Sequence, residues 1–184
     1  MAQAQARKEL GLPQDKKIVV YAGNFTTMGE DKGINDILKA VKLLPEVFFW
    51  GVGGSEKDIK YYEREAESLG VIARVRFVGA QLQKTLALYQ SAADVLLMPF
   101  PNTSHYSQNM SPVKMFEYMA SGRPIVASGL PTIREVLNDT NAVVVPPGNP
   151  QKLADAIQAL LNNPAHAQAI AEQAKKRCAK IFLE

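Results

Sequence analysis

The chain has 184 residues, 47% hydrophobic and 21% charged, so a full apolar core is available and disorder is not expected. Its 21 basic and 18 acidic residues leave a formal net charge of +3, which is too small to indicate nucleic-acid or membrane binding. The single cysteine excludes an internal disulfide, and no apolar run approaches the roughly 20 residues of a membrane span. We therefore expect a cytoplasmic protein with no nucleic-acid partner and no transmembrane segment.

Short apolar runs alternate with helical stripes along the whole chain. Most runs are closed by glycine or proline, as is typical of buried parallel strands, and six strands are predicted: 17–22, 47–52, 74–78, 94–98, 124–127 and 142–145. Apolar spacing, caps and breakers predict these helices: 4–10, 33–44, 56–69, 82–89, 111–122, 131–137, 151–161 and 164–182. The alternation predicts an α/β fold with a parallel sheet and helices on both faces.

Two irregular segments, 24–31 and 100–110, each follow a predicted strand directly. Ligands of parallel sheets bind at the carboxyl ends of the strands, near the point where the strand order reverses. Long loops inside compact domains are also more often functional than filler. The segments after the first four strands are therefore the candidate site.

The predicted helix 111–122 has a well-defined beginning and end. Ser111 is a good N-cap, Pro112 suits the first helical position, and Gly122 suits a left-handed C-terminal stop. The free N–H groups and positive dipole end of such a helix favour a phosphate. Glu117 lies six residues beyond the cap, where no capping role explains it. An ordinary buried helix that happens to be well capped is the alternative interpretation.

Two single residues in the loops leave alternatives open. Lys32 stands at the start of a predicted helix, where a cation opposes the dipole, so it either reaches towards an anion or is simply exposed to solvent. His105, beside Tyr106 in the long loop, either contacts a ligand or has no specific role.

Several common sites are not indicated. The turn Gly51–Gly54 begins like a dinucleotide fingerprint, but the third glycine would be Glu56, whose carboxylate would repel a pyrophosphate. A tight turn that lets the backbone approach a ligand remains open there. The two histidines, His105 and His166, are too far apart in the sequence to predict a metal pair, and no nucleophile–base pattern is present. We therefore expect no metal and no cofactor.

A resemblance to a known family covers nearly the whole chain, from about Arg7 to the last helix. Six segments carry it: Tyr21–Gly23 with Asp31–Gly33, Val75–Gly79, Ser91–Pro99, Ser111–Ser128 and Pro146–Pro150. They resemble the C-terminal, donor-binding domain of retaining glycosyltransferases with the GT-B fold, of the family-four or glycosyl transferases group 1 type. The run Ser111–Ser128 is the most specific. Together with the alternation of elements, the resemblance implies a Rossmann-like three-layer domain with a six-stranded parallel sheet in the order 3-2-1-4-5-6.

The ligand implied by this resemblance is a nucleotide-diphosphate sugar, linked to UDP, GDP or ADP. Glu117 is expected to hold the ribose hydroxyls, because a carboxylate suits a vicinal diol. Lys32 and the amides of Met110 and Ser111 are expected at the diphosphate, where they stabilise the charge of the leaving group. Lys32 and Glu117 are thus the two residues with an implied catalytic contribution, through leaving-group and donor stabilisation.

Further donor contacts are implied around the base and the sugar. The backbone of Phe77 and Val78 is expected to border the base, with Val113 packed beside it. Gly23 and Asn24 are expected to line the donor site directly after the first strand.

Two positions depart from the family's pattern. A second glutamate often precedes the ribose glutamate by eight residues, and here that position is Asn109, which can bind sugar hydroxyls but cannot act as a carboxylate. An arginine is common after the first-strand glycine, and here Asn24 takes its place, so phosphate neutralisation is expected to rest more heavily on Lys32.

The resembled enzymes carry the acceptor site on an N-terminal domain that has no counterpart in this sequence. We expect residues 1–184 to be one donor-binding domain of a hexosyltransferase-type enzyme, with residues 1–5 and 183–184 left over from cloning. Alone it is expected to bind nucleotide without sugar transfer, and any membrane association would come through the absent domain. The alternatives are a stand-alone, non-catalytic nucleotide or interaction module, or half of a GT-B sugar-nucleotide epimerase.

Overall fold

The computed structural model of the protein describes residues 1–103 and 113–183, with the backbone only of Leu183. In these residues the strands β1 to β8 are Lys17–Ala22, Thr26–Thr27, Glu30–Asp31, Val47–Val52, Val75–Val78, Val95–Met98, Ile125–Ser128 and Val143–Val145. The helices α1 to α8 are Gln3–Leu10, Ile34–Leu43, Glu56–Ser68, Gln83–Ala92, Val113–Ser121, Pro131–Arg134, Pro150–Asn162 and Pro164–Leu183. A 3₁₀ turn, Ile72–Arg74, precedes β5.

Six strands form one parallel sheet in the order β5-β4-β1-β6-β7-β8. Leaving aside the short pair β2 and β3, this is the predicted order 3-2-1-4-5-6, and the predicted fold class is confirmed. The chain builds outward from β1 through β4 to β5 and then returns to β6 on the other side of β1. The switch in strand order therefore lies between β1 and β6, which pair through Val19 opposite Val95 and Val20 opposite Leu96.

Helices cover both faces of the sheet and pack in two groups. On one face α1 packs on α4, α4 on α5, and α5 on α8, while on the other α2 packs against both α3 and α7. The largest fully buried side chains include Tyr21, Tyr62, Tyr118, Phe25 and Phe49. None of the helices in the described ranges is both long enough and apolar enough to span a bilayer.

The segment 24–31, predicted as a loop, contains a small antiparallel hairpin. Thr26 lies opposite Asp31 and Thr27 opposite Glu30 in the pair β2–β3. The turn residues Met28 and Gly29 have φ values of 54° and 79°, the left-handed combination of a tight hairpin turn. Methionine at the first turn position hid this hairpin, because asparagine or aspartate is the usual residue there.

The ends of some elements also differ from the prediction. The third predicted strand begins at Val75 rather than Arg74, because Arg74 ends the 3₁₀ turn. The Arg74 guanidinium donates hydrogen bonds of 2.8–3.0 Å to the carbonyls of Val41, Leu44 and Val47. The helix predicted over 131–137 ends at Arg134.

A buried ion pair holds α1 to the starts of the two central strands. The Arg7 side chain is 5% exposed, and its Nη2 lies 2.8 Å from Oδ2 of Asp94, just before β6. The same Asp94 oxygen accepts the Ile18 N–H of β1 at 2.6 Å, and Nε of Arg7 donates to the Ala92 carbonyl. These contacts fix β1 and β6, the strands that flank the switch point, relative to each other.

Candidate anion-binding site

Two glycines close the carboxyl ends of three neighbouring strands. The Gly23 N–H, after β1, donates to the Val52 carbonyl at 2.7 Å, and the Gly53 N–H, after β4, donates to the Val78 carbonyl at 2.7 Å. Their φ values of 125° and 123° favour glycine. A β-carbon on Gly53 would also collide with the Gly23 carbonyl. The Gly51–Gly54 turn is thus explained by close packing against the segment after β1, without a ligand.

Lys32 is held at this edge by its backbone neighbours. Its N–H donates to the Phe25 carbonyl at 2.9 Å. The next residue, Gly33, has a φ of 91°, and a β-carbon there would collide with the backbone of Pro99, which directly follows β6. Lys32 therefore stands over the junction of β1 and β6.

The carboxylate of Asp31 anchors the same segment from the other side. It accepts the Ile34 N–H at 3.0 Å, at the start of α2, and the Tyr62 hydroxyl at 2.6 Å. Tyr62 is buried. Desolvation is the main cause that raises the pKa of its hydroxyl, and the hydrogen bond to Asp31 raises it further. Asp31 is thus occupied by structural contacts, and the adjacent Lys32 side chain is left without a carboxylate from this segment.

The Lys32 ammonium is half-buried, and burial lowers its pKa. Within residues 1–103 and 113–183, no hydrogen bond or ion pair neutralises it. Of the two interpretations of Lys32 that the sequence left open, simple exposure to solvent is disfavoured, because Lys32 is not a fully solvated surface lysine. A half-buried cation without a counter-charge at a strand-end junction is suited to an anionic ligand.

A second lysine, not predicted as a site residue, lies beneath the same junction. Nζ of Lys114, on α5, is buried and has no hydrogen-bond partner in the described part of the chain. It lies 3.5 Å from the centroid of the Tyr21 ring and 5.4 Å from that of Phe100. A β-carbon placed on Gly23 would be 2.8 Å from both Cε and Nζ of Lys114.

Electrostatics link Lys114 to the two residues that the sequence singled out. Burial is the main cause that lowers the pKa of Lys114 far below its ordinary value, and the positive charge of Lys32 lowers it further. The carboxylate of Glu117 acts in the opposite direction. Lys32 and Glu117 are thus close enough for their charges to act on Lys114, next to Gly23. The signal for Lys114 was available, because it lies three residues past the predicted cap, where a cation opposes the helix dipole.

Helix α5 is fixed to the end of β1 by a hydrogen bond through Tyr118. The Ala22 N–H donates to the buried Tyr118 hydroxyl at 2.8 Å. Desolvation raises the pKa of this hydroxyl, so it stays neutral. Gly122 has the left-handed φ of 69° predicted for the residue that ends the helix.

Two glutamines on α4 orient the carboxylate of Glu117. Gln83 donates to Oε1 at 2.8 Å, and Gln90 donates to Oε2 at 3.1 Å. Gln90 is 4% exposed, whereas Gln83 is exposed. Each carboxylate oxygen keeps a further acceptor site, so Glu117 can still accept hydroxyl donors.

Three further predicted site residues lie on β5 and at the start of α5. The Phe77 ring lies in an aromatic cluster, with centroids 5.5 Å from Phe25 and 5.8 Å from Phe49. Its neighbour Val78 ends β5, and Val113 is 64% exposed at the start of α5.

Asn24 is exposed, and its carbonyl accepts the Tyr21 hydroxyl at 2.8 Å. The predictions for His105, Asn109, Met110, Ser111 and the Pro112 helix start lie outside the described residues. Across the described ranges, no group of three or more His, Cys, Asp and Glu side chains is placed to hold a metal ion.

The fold and the site together define a Rossmann-like α/β domain with a cationic site at the switch point of its sheet. Within that class, the chain belongs to the Glycosyl transferases group 1 family, whose model matches residues 2–177. The resemblance stated from the motifs is therefore confirmed.

Known relatives extend well beyond this chain. A D-inositol 3-phosphate glycosyltransferase of Xylanimonas cellulosilytica is 32% identical over 165 residues, which is 87% of this chain and 37% of that protein. Among solved structures, sucrose-phosphate synthase from Thermosynechococcus elongatus is 31% identical with a TM-score of 0.86, over 98% of this chain and 45% of that one. Anabaena HepE in complex with UDP-glucose shares the fold at 22% identity and a TM-score of 0.80, over 96% of this chain and 47% of that one. The chain thus spans less than half the length of these relatives.

Proposed function

We propose that this chain is the donor-binding domain of a retaining glycosyltransferase and binds a nucleotide-diphosphate sugar at the carboxyl ends of β1 and β6. The observation that carries the proposal is the half-buried Lys32 ammonium, which no acidic group in the described residues neutralises, at the switch point of the sheet. A diphosphate supplies the missing negative charge. Membership of the Glycosyl transferases group 1 family favours sugar transfer over epimerisation or a purely structural role.

The proposed roles follow from the charge of each group. Lys32 binds the diphosphate and stabilises the charge that develops on it when the sugar–phosphate bond breaks. Glu117, held by its two glutamines, accepts the two ribose hydroxyls through its free acceptor sites. Amides of Met110 and Ser111 add donors to the diphosphate, and Asn109 binds a sugar hydroxyl.

The base and the acceptor involve other parts of the protein. Backbone at Phe77 and Val78, with the exposed Val113, borders the base. The acceptor site and the rest of the catalytic machinery belong to an additional domain of the full-length enzyme, in keeping with the greater length of the relatives. The domain alone is therefore expected to bind nucleotide and to transfer no sugar.

Calorimetric titration with UDP, GDP and ADP tests the proposal. UDP is the first choice, because the structurally similar HepE was solved with UDP-glucose. Lys32→Ala and Glu117→Ala are each expected to weaken binding by about 1–3 kcal/mol, the range for a lost charged hydrogen bond. Lys42→Ala, on the exposed side of α2, is the matched control and should leave the affinity unchanged. No binding of any of the three nucleotides at millimolar concentration would contradict the proposal.

A further inference from the structure

We infer that Lys114 is a second ligand of the diphosphate, which it reaches from α5 beside Gly23, opposite Lys32. The inference deepens the proposed function and rests on it for the identity of the natural ligand. Its basis is the position of the Lys114 ammonium: buried, in contact range of Gly23, and without a hydrogen-bond partner in the described residues.

A buried ammonium without an acceptor is unusual, because lysine is almost never fully buried unless it is paired. Two rings lie close to it, but a cation–π contact leaves the three N–H donors of the ammonium unsatisfied. The carboxylate of Glu117, on the same helix, makes no hydrogen bond or ion pair with it among the described residues and is instead held by glutamines from α4. The hydrogen-bond acceptors that the Lys114 ammonium lacks are therefore best supplied by a ligand.

The surrounding charges indicate that this ligand is an anion with more than one negative charge. The charged groups that act on Lys114 from the described elements are Lys32, which precedes α2, and Glu117 on α5. The repulsion between the two lysines is relieved when an anion lies between them, and one carboxylate already engaged elsewhere does not balance both. A diphosphate presents several oxygens and enough charge for both ammonium groups.

The local backbone leaves room for this contact. Gly23 has no side chain, and any β-carbon there would overlap the end of the Lys114 side chain. The next residue, Asn24, brings no charge to the junction. Lys114 therefore supplies from the helix a cation that the loop after β1 does not provide.

Binding should also change the protonation of Lys114. Burial and the neighbouring Lys32 lower the pKa of Lys114 in the free domain, and a bound diphosphate raises it again. At alkaline pH, where the diphosphate of UDP is already deprotonated, the domain should take up protons when it binds UDP. This proton uptake is a signal that a merely structural lysine would not give.

The test compares wild type, Lys114→Met and the control Lys42→Met by calorimetry with pyrophosphate, UDP and uridine, in two buffers of different ionisation enthalpy. Lys114→Met should weaken UDP and pyrophosphate binding about 10- to 100-fold and uridine binding less than about twofold. It should also reduce the proton uptake, while Lys42→Met behaves as wild type. Thermal melting of each variant verifies that it is folded.

Three outcomes would overturn the inference: unchanged UDP affinity in Lys114→Met, an equal loss for UDP and uridine, or unchanged proton uptake. Failure of the proposed function looks different. If wild type binds pyrophosphate in a manner that depends on Lys114 but binds no nucleoside diphosphate more tightly, the inference stands and the nucleotide assignment falls. If wild type binds neither pyrophosphate nor any nucleotide, both are wrong.

Discussion

Lys114→Met is expected to stabilise the folded domain while it weakens ligand binding. The Lys114 ammonium is buried without a hydrogen-bond partner in the described residues, and an unsatisfied buried polar group costs about 1–3 kcal/mol, more when charged. The contact with the Tyr21 ring offsets about 0.5–2 kcal/mol of this. Methionine has a similar length and packs favourably against aromatic rings. The free energy of unfolding should therefore rise by about 1–2 kcal/mol.

The gain in the free energy of unfolding from Lys114→Met should become smaller as the pH rises. Burial, and then the charge of Lys32, lower the pKa of Lys114 in the folded domain, whereas the unfolded chain keeps the ordinary value of 10.5. Between the two pKa values the unfolded chain binds more protons, so the stability of wild type rises with pH in this window. Methionine does not titrate. The advantage of Lys114→Met should thus be largest below the window and shrink as the pH rises through it.

Urea unfolding near pH 7 and near pH 9.5 measures this difference, with Lys42→Met as the control for loss of a surface charge. Two results would contradict this expectation: a variant that is less stable than wild type, or a stability difference that does not change with pH. The first result would mean that the ammonium has a partner that outweighs its burial. The second would mean that Lys114 keeps its ordinary pKa in the folded state.

Two further predictions concern the framework of the site. Gly33→Ala should destabilise the domain by about 2–4 kcal/mol, because a left-handed φ and a collision with the Pro99 backbone act together. The control Gly70→Ala has a similar φ but open space around it and should cost only about 1–2 kcal/mol. Equal losses of stability in urea unfolding would show that the contact with Pro99 does not matter. Arg7→Met should lower the free energy of unfolding by about 2–3 kcal/mol, because it leaves the partly exposed Asp94 carboxylate without its cation. At a temperature where this variant is folded, its affinity for UDP should stay within about twofold of wild type.

The fold was predictable because it depends on local signals that agree with one another. Apolar runs ended by Gly23, Gly53 and Pro99 mark strands that are buried on both faces, and alternation with helices selects a parallel sheet. The hairpin turn at Met28 and Gly29 was missed, since its first residue is not one that favours the left-handed region.

The site was predictable only in part, because its contacts join elements that are distant in the sequence. Lys32 and Glu117 were predicted as site residues from their positions in the sequence and from the family resemblance. The hydrogen bonds of Gln83 and Gln90 to Glu117 depend on how α4 packs against α5, which no periodicity specifies. Lys114 was missed because a lysine is normally exposed, and the three-dimensional structure is needed to place its ammonium against Tyr21 and Gly23.

Amide chemical-shift changes in the ¹⁵N-labelled domain, titrated with UDP, show most directly where the nucleotide binds. We expect the largest changes at the carboxyl edge of the sheet, around Gly23, Lys32 and the first turns of α5. A cleft lined by Lys17, Asp94 and Arg123 lies at the amino ends of the same strands and serves as the internal comparison. Changes concentrated in that cleft, with Gly23 and Lys32 unaffected, would contradict the assignment of the site.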